Sequence, residues 1–161
     1  MKILSLDSTA DVGTVALCED EKLLAEMTVN TGNTHSESLL PTVEAVLKIT
    51  GSTINDIDLF ACSTGPGSFT GLRIGIGTVK GLAYGLGKKV VGVSTLEALA
   101  TNLAFGENKI IIPVMDARRG QFYTAKFSFK KGKLERISDD MAQSFEDFFE
   151  DFAQKMAKFL F

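Results

Sequence analysis

The chain has 161 residues, enough for one ordinary domain or for one lobe and part of another. Its 45% hydrophobic and 23% charged residues lie near globular averages, which supports a packed core and argues against disorder. With 17 Lys+Arg against 20 Asp+Glu the net charge is −3, which argues against a whole-surface nucleic-acid binder and leaves room for a local basic patch.

Met1–Asp7 is apolar at Ile3, Leu4 and Leu6, so it reads as a buried strand, with a turn over Ser8–Asp11. Val12–Cys18 alternates Val15 and Leu17 with small or polar neighbours, and a third strand, Lys22–Val29, follows the acidic turn Glu19–Glu21. After the loop Asn30–Thr34, Ser36 or Ser38 caps a helix that runs to about Thr50, where Gly51 stops it. Leu39, Leu40, Val43, Val46 and Leu47 follow helical spacing there, and Pro41 fits a first turn. Leu59–Ser63 is a short buried strand. Gly65-Pro66-Gly67 is a loop, and Ser68 or Thr70 caps a helix through Leu86. Lys89–Val93 is a strand, and Ser94 or Thr95 caps a helix through Leu103. The order is β-β-β-α-β-α-β-α.

The second part restarts in the same way. Ile110–Met115 is a strand, Ala117–Gly120 a turn, Gln121–Phe129 a strand, Lys130–Lys133 a turn and Leu134–Ile137 a short strand. Met141–Phe161 reads as an amphipathic helix, with Phe145, Phe148, Phe149, Phe152, Met156 and Phe159 or Leu160 on one side. Its acids come early and Lys155 and Lys158 late, which suits the helix dipole. Both parts thus open on an apolar strand ending in Asp, at Asp7 and Asp116, then a meander, then a helix. A duplicated β-β-β-α-β-α unit is the plan of the actin, Hsp70 and sugar-kinase fold. The expected fold class is therefore α/β, an actin-like ATPase (ribonuclease H-like) fold. A complete first lobe is expected over 1–105, and over 106–161 a second lobe that repeats only β-β-β-α, its last strands and helices missing.

Cys18 and Cys62 sit in apolar strand-like runs and read as two buried, reduced thiols. There is no CxxC or Cys/His cluster, so no structural zinc site is expected. The N-terminus lacks a leader-like apolar region, and the most apolar helical stretch, Phe69–Leu86, carries Arg73 and Lys80. A soluble cytoplasmic protein with no membrane span is expected.

Three stretches bear on chemistry. Asp7-Ser8-Thr9 closes the first strand, where in this fold class the turn faces nucleotide phosphates. Its hydroxyls can donate to phosphate oxygens and its Asp can hold Mg²⁺ through water, or the turn is an ordinary hairpin with a capping Asp. Asp116-Ala117-Arg118-Arg119-Gly120 is the matching turn, and its paired Arg118 and Arg119 either grip phosphate or RNA or are simply solvated. The third stretch, Gly65 to Gly75, is a Gly-rich loop entering a helix that fits neither a P-loop nor a dinucleotide fingerprint. Glycines at 71, 75, 77, 81 and 85 each cost a helix about 1 kcal/mol against alanine, which close approach of another helix or backbone would offset. Phe69, Leu72, Ile76, Val79, Ala83 and Leu86 give that helix an apolar face as well. Either one face packs on the sheet and leaves the other for a neighbour, or both are buried within the chain. His35 is the only histidine; it supports neither a two-His metal site nor a Ser-His-Asp triad, and no catalytic constellation emerges.

Met1-Lys-Ile-Leu-Ser-Leu-Asp-Ser-Thr9, Thr34-His-Ser-Glu-Ser-Leu-Leu-Pro41, the Gly65–Gly75 stretch and Asp116–Gly120 together resemble the TsaB (YeaZ) family. The resemblance runs from residue 1 to about residue 125 and implies an actin-like fold. It implies a part in making N6-threonylcarbamoyladenosine at position 37 of tRNAs that read codons starting with A. The implied role is a non-catalytic subunit, not an enzyme, that scaffolds and activates the catalytic paralogue TsaD. The small ATPase TsaE joins that complex in bacteria, and tRNA is met through it. The resemblance also implies that the first two helices form the partner face, with Leu39, Leu40, Val43, Leu47, Phe69, Leu72, Arg73, Ile76 and Lys80 on it. Alone, the chain is expected to form a homodimer through the same surface. The catalytic paralogue carries an H-x-x-x-H metal motif, and Thr34-His35-Ser36 has no second histidine to complete one. No cofactor is expected, with ATP or ADP at Asp7, Ser8 and Thr9 the alternative. Two rivals stand: an ATP-binding kinase or ATPase of the same fold, which needs that turn to hold magnesium-nucleotide, and a peptidase acting on the partner, for which His35 is poorly placed. The chain departs from the family pattern at its end, where roughly the last third of a full-length member has no counterpart.

Overall fold

The computed structural model describes residues 1–150 apart from 31, 33 and 107. The chain divides into two compact units, one over Met1–Thr95 and one starting at Leu96. In the first, β1 (Lys2–Asp7), β2 (Gly13–Glu19), β3 (Lys22–Val29), β4 (Leu59–Ser63) and β5 (Lys89–Val93) form one sheet in the order β3-β2-β1-β4-β5. The first three strands are an antiparallel meander; β1, β4 and β5 run parallel. Parallel strands need a long crossover, and α2 (Phe69–Leu86) supplies it between β4 and β5. Helix α1 (His35–Ile49) follows β3, and α3 (Thr95–Thr101) follows β5. This is the expected order, with a short 3-10 turn over Ile54–Asp56 added.

Alternation puts the apolar residues of the sheet on one face. Leu4 lies between Leu17 and Phe60, and Leu6 between Val15 and Cys62. Leu39, Val43, Val46 and Leu47 of α1 and Val79 and Ala83 of α2 complete this core. Burying each large aliphatic side chain there is worth about 1.5–3 kcal/mol.

Three local expectations change. The cap of α1 is Thr34, not Ser36 or Ser38: the Glu37 carboxylate accepts from the Thr34 N–H at 3.2 Å and from its hydroxyl at 3.0 Å. Starting there puts Pro41 in the second turn instead of the first, and the Glu37 carbonyl loses the bond residue 41 would have donated. Helix α3 stops at Thr101, short of Leu103. Of the two cysteines only Cys62 is buried, and burial pushes its thiol pKa up; Cys18 is half-buried at a bulge in β2.

The second unit holds β6 (Lys109–Ile111), β7 (Val114–Arg118), β8 (Gln121–Thr124), β9 (Phe127–Lys130), β10 (Lys133–Arg136) and β11 (Met141–Ser144). They form two three-stranded sheets, β10-β9-β6 and β11-β8-β7. The strands expected at Ile110–Met115 and Gln121–Phe129 are therefore each divided. Pro113 has no N–H for a ladder, so the first breaks there. At Lys126 the N–H goes to Ser138 Oγ (2.9 Å) and the carbonyl accepts from the Ile137 N–H (2.7 Å), which takes that residue out of the strand ladders.

Met141–Ser144, expected to open a helix, is instead strand β11 paired with β8. The helix starts at residue 145, where Ser144 Oγ accepts from the Asp147 N–H at 3.1 Å. Phe145 and Phe148 stack edge-on against Phe122, with centroids at 6.5 and 5.2 Å. Phe152, Met156, Phe159, Leu160, Lys155 and Lys158 lie outside the described residues. The second core gathers Leu96, Ala100, Ile111, Ala125, Phe127 and Phe129, so α3 lies across the 105/106 boundary read from the sequence. Among the described residues no helix is long and apolar enough to cross a membrane.

Candidate functional site

The turn after β1 is closed from within. Asp7 Oδ1 accepts from the Thr9 N–H at 3.1 Å, while Ser8 and Thr9 are each 3% exposed. Ser8 Oγ donates to the Gly71 carbonyl at 2.8 Å, and the Ser68 N–H donates to the Thr9 carbonyl at 2.7 Å. A Cβ on Gly71 would overlap the Ser8 carbonyl oxygen, and one on Gly75 would overlap Ser8 Oγ. The i,i+4 glycine pair is thus a notch in α2 that receives the end of β1 backbone to backbone. Asp7, Ser8 and Thr9 share this one turn, and the hydroxyl of Ser8 is spent inside the protein. The residue the sequence reading left without a role, His35, props the same turn: its Nε2 lies 2.8 Å from the Ala10 carbonyl, and Gly13 and Gly71 leave room for its ring.

Helix α2 is anchored at Ser68, whose Oγ accepts from the Gly71 N–H at 3.2 Å. Its buried row is Gly71, Gly75, Val79 and Ala83. The opposite i,i+4 row is Phe69, Arg73, Gly77, Gly81 and Gly85, all exposed. Among the described residues, an added Cβ at Gly77, Gly81 or Gly85 would meet nothing within 4 Å. Phe69 is 73% exposed with the Arg73 guanidinium over its ring at 5.3 Å, and Tyr84 is 92% exposed. Tyr84 was missed in the sequence, although it falls three and seven residues beyond Gly81 and Gly77, on their side of the helix. The row forms a ridge at Phe69 and Arg73 that falls to a glycine groove, a shape into which a second helix's ridge fits.

The rest of the expected partner face divides. Leu39 (2%), Val43 (3%) and Leu47 (8%) are core residues that turn to the sheet, so they are removed from the outer surface. Leu72 and Ile76 are half-buried, and Leu40, Arg73 and Lys80 are exposed. Between α1 and α2 lies an open groove of about 460 Å³, lined by Leu40, Glu44, Lys48, Ile54 and Leu82 with the edges of Val43 and Leu47 at its floor.

In the second unit, Arg118 and Arg119 form the exposed tip between β7 and β8. Both have left-handed backbone angles, φ 65° and 54°, and Gly120 follows at 73°. The Arg118 N–H donates to Asp116 Oδ1 at 2.7 Å, which repeats the Asp7 to Thr9 bond of the first unit. Among the described residues no three His, Cys, Asp or Glu side chains are grouped as a metal site would need.

The family model of TsaD, the tRNA N6-adenosine threonylcarbamoyltransferase, matches residues 23–159. The tRNA threonylcarbamoyladenosine biosynthesis protein TsaB of Bacillus subtilis is 34% identical over all of this chain and 70% of the relative. TsaB of Escherichia coli is 37% identical over 79% of this chain and 55% of the relative. A solved Pseudomonas aeruginosa protein, described as similar to the peptidase YeaZ, superposes with a TM-score of 0.80 at 28% identity. That match covers 89% of this chain and 66% of the solved one.

Proposed function

The chain belongs to the TsaB family, within the wider group described by the TsaD model, and from that we propose that it serves tRNA threonylcarbamoyladenosine synthesis as a docking subunit. Its outer α2 face seats a TsaD-type catalytic subunit and holds it in an active arrangement. The observation that carries this reading is the uncovered glycine row beside Phe69 and Tyr84. Two interior glycines, Gly77 and Gly81, cost a helix about 2 kcal/mol against alanines, and no described residue uses the space they leave. A packed partner helix does use it. The closed first turn supports the same reading, since a buried Ser8 hydroxyl bonded to Gly71 is poorly disposed to a nucleotide phosphate.

The test is light scattering on the chain mixed with a TsaD protein of the same organism. A one-to-one complex is expected for the wild type and none for Tyr84→Asp, whose 92% exposed side chain leaves the fold undisturbed. Separate wild-type species at all mixing ratios would sink the proposal.

We also propose that Arg118 and Arg119 touch the tRNA phosphates in the assembled complex. Left-handed backbone on two adjacent arginines costs about 1–2 kcal/mol each, so glycine would be the easier choice unless the side chains are used. Replacing both with glycine is expected to keep the fold and to weaken tRNA retention, with the salt dependence shallower by about one unit per arginine. Unchanged retention would remove the arginines from the interface.

A further inference from the structure

The hairpin of β9 and β10 is strongly cationic in an acidic chain. Lys126–Arg136 holds five Lys or Arg and one acid, Glu135, where the whole chain has a net charge of −3. Arg136 is answered by Asp140 at 2.6 Å and Glu97 at 3.9 Å. The tip is not answered: Lys130, Lys131 and Lys133 are exposed, and among the described residues no carboxylate lies within 4.0 Å of their ammonium groups. The fold has no need of these charges. Lys130 and Lys133 stand directly opposite each other across the ladder, where like charges repel. Lys131 and Gly132 form a two-residue turn with φ 51° and 74°, a left-handed pair that Asn-Gly suits best. The same end of the sheet carries an aromatic ring. Lys109 opens β6 opposite Phe129, the residue before Lys130. Its Nζ lies 4.1 Å from the centroid of the Phe105 ring, and Phe105 is 60% exposed.

We propose that this end of the β10-β9-β6 sheet holds RNA, with Lys130, Lys131 and Lys133 on backbone phosphates and Phe105 under an unpaired base. Three ammonium groups on flexible stems around one turn match a run of phosphates, and binding them relieves the repulsion between Lys130 and Lys133. The ring selects RNA over an acidic protein. A carboxylate surface has no use for an exposed phenylalanine, whereas an unstacked base lies flat on one. Lys109 steadies the ring through its own cation–π contact. The site is on a different sheet from Arg118 and Arg119. It takes from the functional reading above only the kind of RNA, a tRNA, and nothing in it depends on the outer face of α2.

Fluorescence anisotropy of a labelled tRNA transcript from the same organism, titrated with this chain alone over a series of salt concentrations, tests it. The wild type is expected to bind, more weakly as salt rises. The triple variant Lys130→Gln, Lys131→Gln and Lys133→Gln should bind at least tenfold more weakly, with a salt slope shallower by about two to three units. Replacing the same three lysines with arginine should keep both affinity and slope. Phe105→Ala should weaken binding about tenfold at an unchanged slope, because stacking carries no charge. Tyr84→Asp should bind tRNA as the wild type does, so the docking reading and this one fail separately. A wild type that does not bind even at low salt overturns the proposal, as does a glutamine variant with wild-type affinity and slope. A Phe105→Ala chain that binds as well as the wild type overturns the assignment to RNA. So does polyglutamate that displaces the labelled tRNA as well as unlabelled tRNA does, because the tip would then fit an acidic protein.

Discussion

The Gly71→Ala chain is expected to lose about 3 kcal/mol of folding stability, since overpacking against fixed backbone lies at the upper end of its usual range. The new methyl group would occupy the position of the Ser8 carbonyl oxygen, and a carbonyl at the end of a central strand has no rotamer by which to move aside. Relief would require α2 to lift from β1. That would break the 2.8 Å bond from Ser8 Oγ to the Gly71 carbonyl and open the packing of Val79 and Ala83 below it. Urea unfolding followed by circular dichroism reads the loss as a lower midpoint at unchanged slope. A change below about 1 kcal/mol would mean that α2 is not seated on the turn as described.

Gly77→Ala and Gly81→Ala should act in the opposite direction on stability. No described residue lies within 4 Å of either new Cβ, and both glycines are inside the helix, so each substitution is worth about 0.4–1 kcal/mol of added stability. The double variant should therefore unfold at a higher urea concentration than the wild type. If the glycine row is a docking groove, the same variant should bind a TsaD-type protein more weakly, because two methyl groups then stand where a partner ridge sits. A gain in stability with a loss of binding is the signature of residues kept for a neighbour, not for the fold. A double variant that is more stable and binds as well as the wild type would assign the row no part in docking.

Much of the first unit was legible from residue pattern. β1 and β2 alternate, Gly51 ends α1, and Ser68 starts α2. The glycines of α2 were legible as a group but not by face. Which of them point inward depends on the phase of the helix over the sheet, and Ser8 sets that phase through Gly71 and Gly75. The apolar stripe of α1 had two claims on it, core and partner. An amphipathic helix with a single stripe gives it to the sheet, which leaves Leu40 and the 69% exposed Ile49 outside. In the second unit the signal at Pro113 was present, since proline inside a strand pattern marks a break. Met141–Ser144 had no comparable signal: four residues suit either a strand or a first helical turn, and pairing with Phe122 to Thr124 on β8 decides between them.

The most direct test of the docking account is an isothermal titration of this chain into a TsaD protein from the same organism, with Gly81→Leu run beside the wild type. The wild type is expected to bind one-to-one, and the variant, its fold intact and its glycine groove filled, at least tenfold more weakly. Equal affinities for the two chains, or no binding by the wild type, would contradict it.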